Sequence, residues 1–93
     1  MIKIIGNDVR RGMDKIGYVQ GNDIHDHEGH KVGYFADNHI YDASGRKVAR
    51  LQGDAIFDAQ GGVVAKVSEN NESVSGGAHS DLSRAAIRVL LGD

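Results

Sequence analysis

Residues 21–68 consist of three consecutive sixteen-residue blocks that vary a single pattern: GNDIHDHEGHKVGYFA, DNHIYDASGRKVARLQ and GDAIFDAQGGVVAKVS. In register, the fourth position is Ile24, Ile40 and Ile56, the sixth Asp26, Asp42 and Asp58, and the ninth Gly29, Gly45 and Gly61. The twelfth is Val32, Val48 and Val64, the thirteenth is always tiny (Gly33, Ala49, Ala65), and the fifteenth is always apolar (Phe35, Leu51, Val67). An unbroken period of this length means a repeated supersecondary unit whose copies must share a core.

Each block reads as one β-hairpin. An aspartate opening a turn accepts hydrogen bonds from backbone N–H groups just ahead of it, and a glycine closing the turn tolerates positive φ. Asp-x-x-Gly between two apolar runs therefore predicts strand, type I turn with a left-handed glycine, strand. Glycine recurs too often for a helix. Residues 6–20 form a degenerate first copy: Gly6-Asn7-Asp8-Val9 matches Gly21-Asn22-Asp23-Ile24, while Lys15 to Val19 matches Lys31 to Phe35, with one residue fewer between them. The small thirteenth column, now including Gly17, predicts close backbone approach where the copies converge on an axis. The fourteenth column (Tyr18, Tyr34, Arg50, Lys66) is expected to face outward. The periodicity leaves open which face Ile24, Ile40 and Ile56 take. Residues 1–5 are expected as a strand that pairs with the last unit and closes the ring.

The predicted organisation is a mainly β domain over 1–68, a polar linker over 69–80 rich in Asn, Ser and Gly, and a C-terminal α-helix over 81–91. Ser80 and Asp81 suit the helix start, and Gly92 suits its end. Leu82, Ala85, Ala86, Val89 and Leu90 share one helix face, with Ile87 and Leu91 on another side. That perimeter exceeds what one small sheet covers, which predicts an oligomer interface made of Leu82, Ala86, Ile87, Val89, Leu90 and Leu91. The plainer alternative is a lid over the chain's own core.

Composition narrows the functional classes. Apolar residues make up 40% and aromatics only 5% of the 93 residues, so the core is thin and a partner would add burial. A formal charge of −2 gives no reason to expect nucleic acid or an acidic membrane as partner. The chain has no cysteine, hence no disulfide, thiol nucleophile or thiolate metal site. Neither a signal-peptide core nor a membrane-spanning stretch is visible, so a cytoplasmic location is the default expectation.

The pattern Ile40-Tyr41-Asp42-Ala43-Ser44-Gly45-Arg46-Lys47-Val48-Ala49 resembles that of the bacterial four-fold β-flower domain, over about residues 1–68. The resemblance implies four short hairpins around a pseudo-four-fold axis and carries no established activity with it. Its motif encodes a turn and a core position rather than a reactive site.

One cluster could hold a ligand: His25, His27 and His30, interleaved with Asp26 and Glu28, offer imidazole and carboxylate groups suited to a transition metal such as Zn²⁺. The competing reading is a solvated turn, because His25 aligns with Tyr41 and Phe57, and His30 with Arg46 and Gly62. The aspartate column could likewise be a cation-binding ring, although turn capping already explains it. Lys15, Lys31, Lys47, Arg50 and Lys66 read as a solvated band with cross-strand ion pairs. No calcium loop, phosphate cradle or serine elbow is present, and a pairing of His79 with a nearby serine has no supporting motif. The sequence thus predicts no enzyme and no resident cofactor. It predicts a structural or interaction module that self-associates through its helix or docks on another protein. A metal- or small-ligand-binding domain using the histidine-rich turn is the alternative.

Overall fold

The computed structural model describes residues 2–77 and 79–92; Met1, in the expected first strand, and Ala78, in the expected linker, lie outside them. Ten strands form one sheet: β1 (Ile2–Ile5), β2 (Asp8–Arg11), β3 (Asp14–Gln20), β4 (Asp23–Asp26), β5 (Lys31–Ala36), β6 (His39–Asp42), β7 (Lys47–Gln52), β8 (Ala55–Asp58), β9 (Val63–Lys66) and β10 (Val74–Ser75). Two helices accompany them, α1 (Val67–Ser73) and α2 (Asp81–Leu91). Neighbours from β1 to β9 are sequential and antiparallel, whereas β10 runs parallel to β1 at one end.

The repeat is visible in the register. Each unit is a hairpin in which the central apolar residue faces the tiny one: Val9 with Gly17, Ile24 with Gly33, Ile40 with Ala49, Ile56 with Ala65. Directly after each central residue the register slips by a β-bulge. Bulges bend a strand and increase its twist, so the same bulge in every unit curls the whole sheet. Laid flat, ten strands would span about 43 Å at the usual inter-strand spacing. The molecule's longest dimension is only 33 Å, and α2 alone touches β4, β5, β6, β7 and β10. The sheet therefore wraps around one centre.

That centre settles the facing of the isoleucines. Val9, Ile24, Ile40 and Ile56 are each 0% exposed. Between units, Ile4 pairs with Val9, Val19 with Ile24, Phe35 with Ile40, and Leu51 with Ile56. Ile4 thus occupies the position of Val19, Phe35 and Leu51, and β1 acts as the second strand of a further unit. Its partner is β10, whose buried Val74 pairs with Ile2 as Ile24 pairs with Gly33. Four hairpins and this fifth, two-segment position surround the core. The first strand accordingly joins β10 rather than the fourth hairpin, and β9 and β10 do not pair with each other. Helix α1 contacts both of them.

The expected polar linker over 69–80 is mostly ordered structure. Its first part belongs to α1, where Glu69 accepts the Lys66 N–H at 3.1 Å, as a first-turn acid at a helix start does. Asn70 is buried against the interior, so tertiary packing holds a helix that VSENNES alone would not favour. Further on, Arg84 of α2 donates to the Val74 and Gly77 carbonyls at 2.9 and 3.0 Å. His79 donates from Nε2 to the Gly6 carbonyl at 3.0 Å, leaving Nδ1 to accept the Ser83 hydroxyl at 3.3 Å.

Helix α2 is capped by Ser80, whose hydroxyl accepts the Ser83 N–H at 3.1 Å, and it ends at Gly92 as expected. It seats on the small column. A Cβ on Gly33 would lie 2.7 Å from a Leu90 methyl and against the Tyr41 carbonyl; one on Gly17 would lie 2.7 Å from a Leu91 methyl and against the His25 carbonyl. Neither glycine is there for a special φ; both are there for space. Gly33→Val should destabilise the fold by about 2–3 kcal/mol through overpacking. Urea denaturation would show it as a lower midpoint, and a midpoint equal to wild type would refute this account of the contact.

Candidate functional site

The aspartate column, the histidine-rich turn and the lysine band lie on the strands of the sheet and the turns between them. Within each full unit the turn is built by its aspartate. Asp26 Oδ1 accepts the Glu28 and His30 N–H groups at 2.9 and 3.0 Å. Asp42 Oδ1 accepts those of Ser44 and Arg46 at 2.9 and 3.1 Å, with the Ser44 hydroxyl at 2.6 Å. Asp58 Oδ1 accepts those of Gln60 and Gly62 at 3.0 and 2.9 Å. Gly45 closes its turn at φ 91°, a conformation side chains other than glycine rarely adopt. The aspartate column caps turns.

The histidine-rich turn is divided by this geometry. His25, on β4, stacks on Tyr18 of the preceding unit, with ring centroids 4.7 Å apart and planes 2° apart. His27 lies at the turn with Nε2 4.0 Å from Glu28. His30 Nδ1 is 3.4 Å from Asp26 Oδ2. The ligand atoms that lie within 4.8 Å of one another belong to Asp26, Glu28 and His30. Imidazole and two carboxylates could present a divalent cation with an open, solvent-exposed site; His25 and His27 are not part of that group.

Sequence reasoning missed the ladder around it. The fourteenth residue of one unit stacks on the fifth residue of the next: Tyr18 on His25, Tyr34 on Tyr41 at 4.7 Å, and the Arg50 guanidinium over Phe57 at 4.7 Å. The signal was present, since both columns hold bulky planar or cationic groups and strand pairing places them opposite. Two lysines complete it. Lys15 pairs with Asp8 at 3.2 Å beside the Tyr18 ring, and Lys31 pairs with Asp23 at 3.3 Å over the Tyr34 ring. These are the expected cross-strand ion pairs, and at such exposure each contributes little stability.

On α2, the proposed interface residues separate. Ala86 and Ile87 are 0% exposed inside this chain's own core, so in this conformation they have no surface to offer. Leu82, Val89, Leu90 and Leu91 pack on that core yet remain partly exposed. Ser83 accompanies His79, but it is 3% exposed, and a buried hydroxyl cannot meet a substrate. Among the described residues no helix is long and apolar enough to cross a membrane.

The turn geometry has a pH consequence. The His30 N–H bond foremost, with that of Glu28, holds the Asp26 carboxyl below the ordinary 3.8, and the Ser44 hydroxyl foremost does the same for Asp42. Carboxylates with lowered folded values stabilise the fold above their unfolded value, and that stability is lost as pH falls through the folded one. The urea midpoint should therefore drop between roughly pH 5 and pH 3. Asp42→Asn should flatten that slope, and an unchanged slope would contradict the capping role.

The family model described as a 5-fold beta-flower protein matches residues 8–88. No curated protein and no solved structure matches the chain. The expected β-flower resemblance holds, while the symmetry number in that description is five rather than four. In this structure four hairpins and the β10–β1 pair make five positions around the core. The match spans most of the chain, and the protein belongs to the 5-fold beta-flower family.

Proposed function

We propose that this protein is a non-catalytic interaction module that self-associates through α2. The observation that carries this reading is the partly exposed apolar flank Leu82, Val89, Leu90 and Leu91, left over after Ala85, Ala86 and Ile87 have entered the core. Apolar side chains left half in water on a small, thin-cored domain gain burial from a second copy. Light scattering on the purified chain at micromolar concentration should give a multiple of the 10.0 kDa subunit mass. Val89→Lys should reduce that mass while circular dichroism remains that of the wild type. A wild-type mass of one subunit would end the proposal.

A second reading rests on the convergence of Asp26, Glu28 and His30 at the first full turn. Here the module binds a divalent transition metal at its rim, with His30 as the nitrogen ligand and the two carboxylates as oxygen ligands. Calorimetric titration with Zn²⁺ should show one saturating site in the wild type and lose it in His30→Ala. Equal heats in the two proteins would dismiss the site.

A further inference from the structure

The repeats allow one unit to be compared with its neighbours position by position. On the outward face, the first and second units each carry aspartate, lysine and tyrosine: Asp8, Lys15, Tyr18, then Asp23, Lys31, Tyr34. The third unit carries His39, Lys47 and Arg50 in the same three positions. The carboxylate that neutralises the lysine has become an imidazole, and the ring beneath it a guanidinium. Among the described residues Lys47 has no ion pair, in contrast with Lys15 and Lys31.

These three side chains line a cavity of about 170 Å³, together with Ala49, Asp58 and Ala59. Its permanent charges are two positive, Lys47 and Arg50, against one negative. The negative group, Asp58, already accepts two backbone N–H bonds through Oδ1. Arg50 is held ready: its Nε donates to Gln52 Oε1 at 3.1 Å and its plane lies over Phe57. A guanidinium anchored in this way loses little freedom when its remaining N–H groups meet an oxyanion. The His39 Nδ1 lies 2.8 Å from the Asp37 carbonyl and donates to it, leaving Nε2 as the ring's remaining polar atom, a donor whenever the ring is protonated. The volume falls below the range of sites for drug-sized ligands and suits one small anion.

We propose that the groove between the third and fourth units is a binding site for a single tetrahedral oxyanion of the phosphate class, gripped by Lys47 and Arg50 with His39 beside them. The proposal is independent of self-association and of the histidine-rich turn. Two-dimensional ¹H–¹⁵N spectra of the full chain, titrated with inorganic phosphate at constant ionic strength, should show saturable shifts at residues 39, 47 and 50. His39→Asp installs the arrangement that the first two units already carry, so the fold accommodates it. It should weaken binding at least about tenfold by giving Lys47 a carboxylate partner. Lys47→Ala should weaken it similarly.

O-Phosphoserine, titrated in parallel, separates the two sources of this chemistry. Tighter binding than inorganic phosphate marks a site for an esterified phosphate, and weaker binding marks a site for the free ion; either result supports the site. Undiminished affinity in His39→Asp, shifts spread equally over Lys15 and Lys31, or no saturation would each overturn it.

Discussion

The structure depends on a shared burial that no unit achieves alone. Val9, Ile24, Ile40 and Ile56 each come from a different hairpin, and each is fully removed from water only because the other units and α2 stand around it. Burying one such side chain contributes about 2 kcal/mol. A single hairpin of this length has a face but no interior. The repeated bulge converts that face into an interior by curling the sheet, and the tiny thirteenth residue lets the helix reach the centre.

This arrangement divides the constraints on the chain sharply. Inward positions are fixed by volume: isoleucine fills the centre, and at Gly17 and Gly33 the leucine methyls of α2 occupy the space a larger side chain would need. Turn positions are fixed by backbone hydrogen bonding, which demands the aspartate. The outward ladder is constrained only to stack, so it accepts histidine, tyrosine, phenylalanine, lysine or arginine with little consequence for the fold. Outward positions are where one unit differs from another, since the inward and turn columns are occupied with holding the sheet together.

The histidine-rich turn shows why a cluster in sequence need not be a cluster in space. Of these six residues only His25 and Asp26 lie on a strand, where side chains alternate in direction, and the other four make the turn that follows. His25 is drawn into the ladder by Tyr18, while His30 is turned toward Asp26 by the cap. The reverse also holds: His39, Lys47, Arg50 and Asp58 are spread over twenty positions and meet in one groove.

The sequence by itself determined the hairpin unit, its turn chemistry, its outward and small columns and the capped helix over 81–91. Each of these follows from local periodicity, from an aspartate and a glycine at fixed spacing, or from a serine before an apolar run, and local geometry leaves them no alternative. Tertiary structure alone decided the rest. It placed Ile4 and Val74 in a fifth position, because only a closed arrangement reveals which segments lack a neighbour. It made a helix of Val67–Ser73, because contacts with β9, β10 and α2 stabilise what weak local propensity does not. It also drew Ala86 and Ile87 into the core, because a helix pattern shows which residues are apolar but not how many partners the curled sheet brings to them.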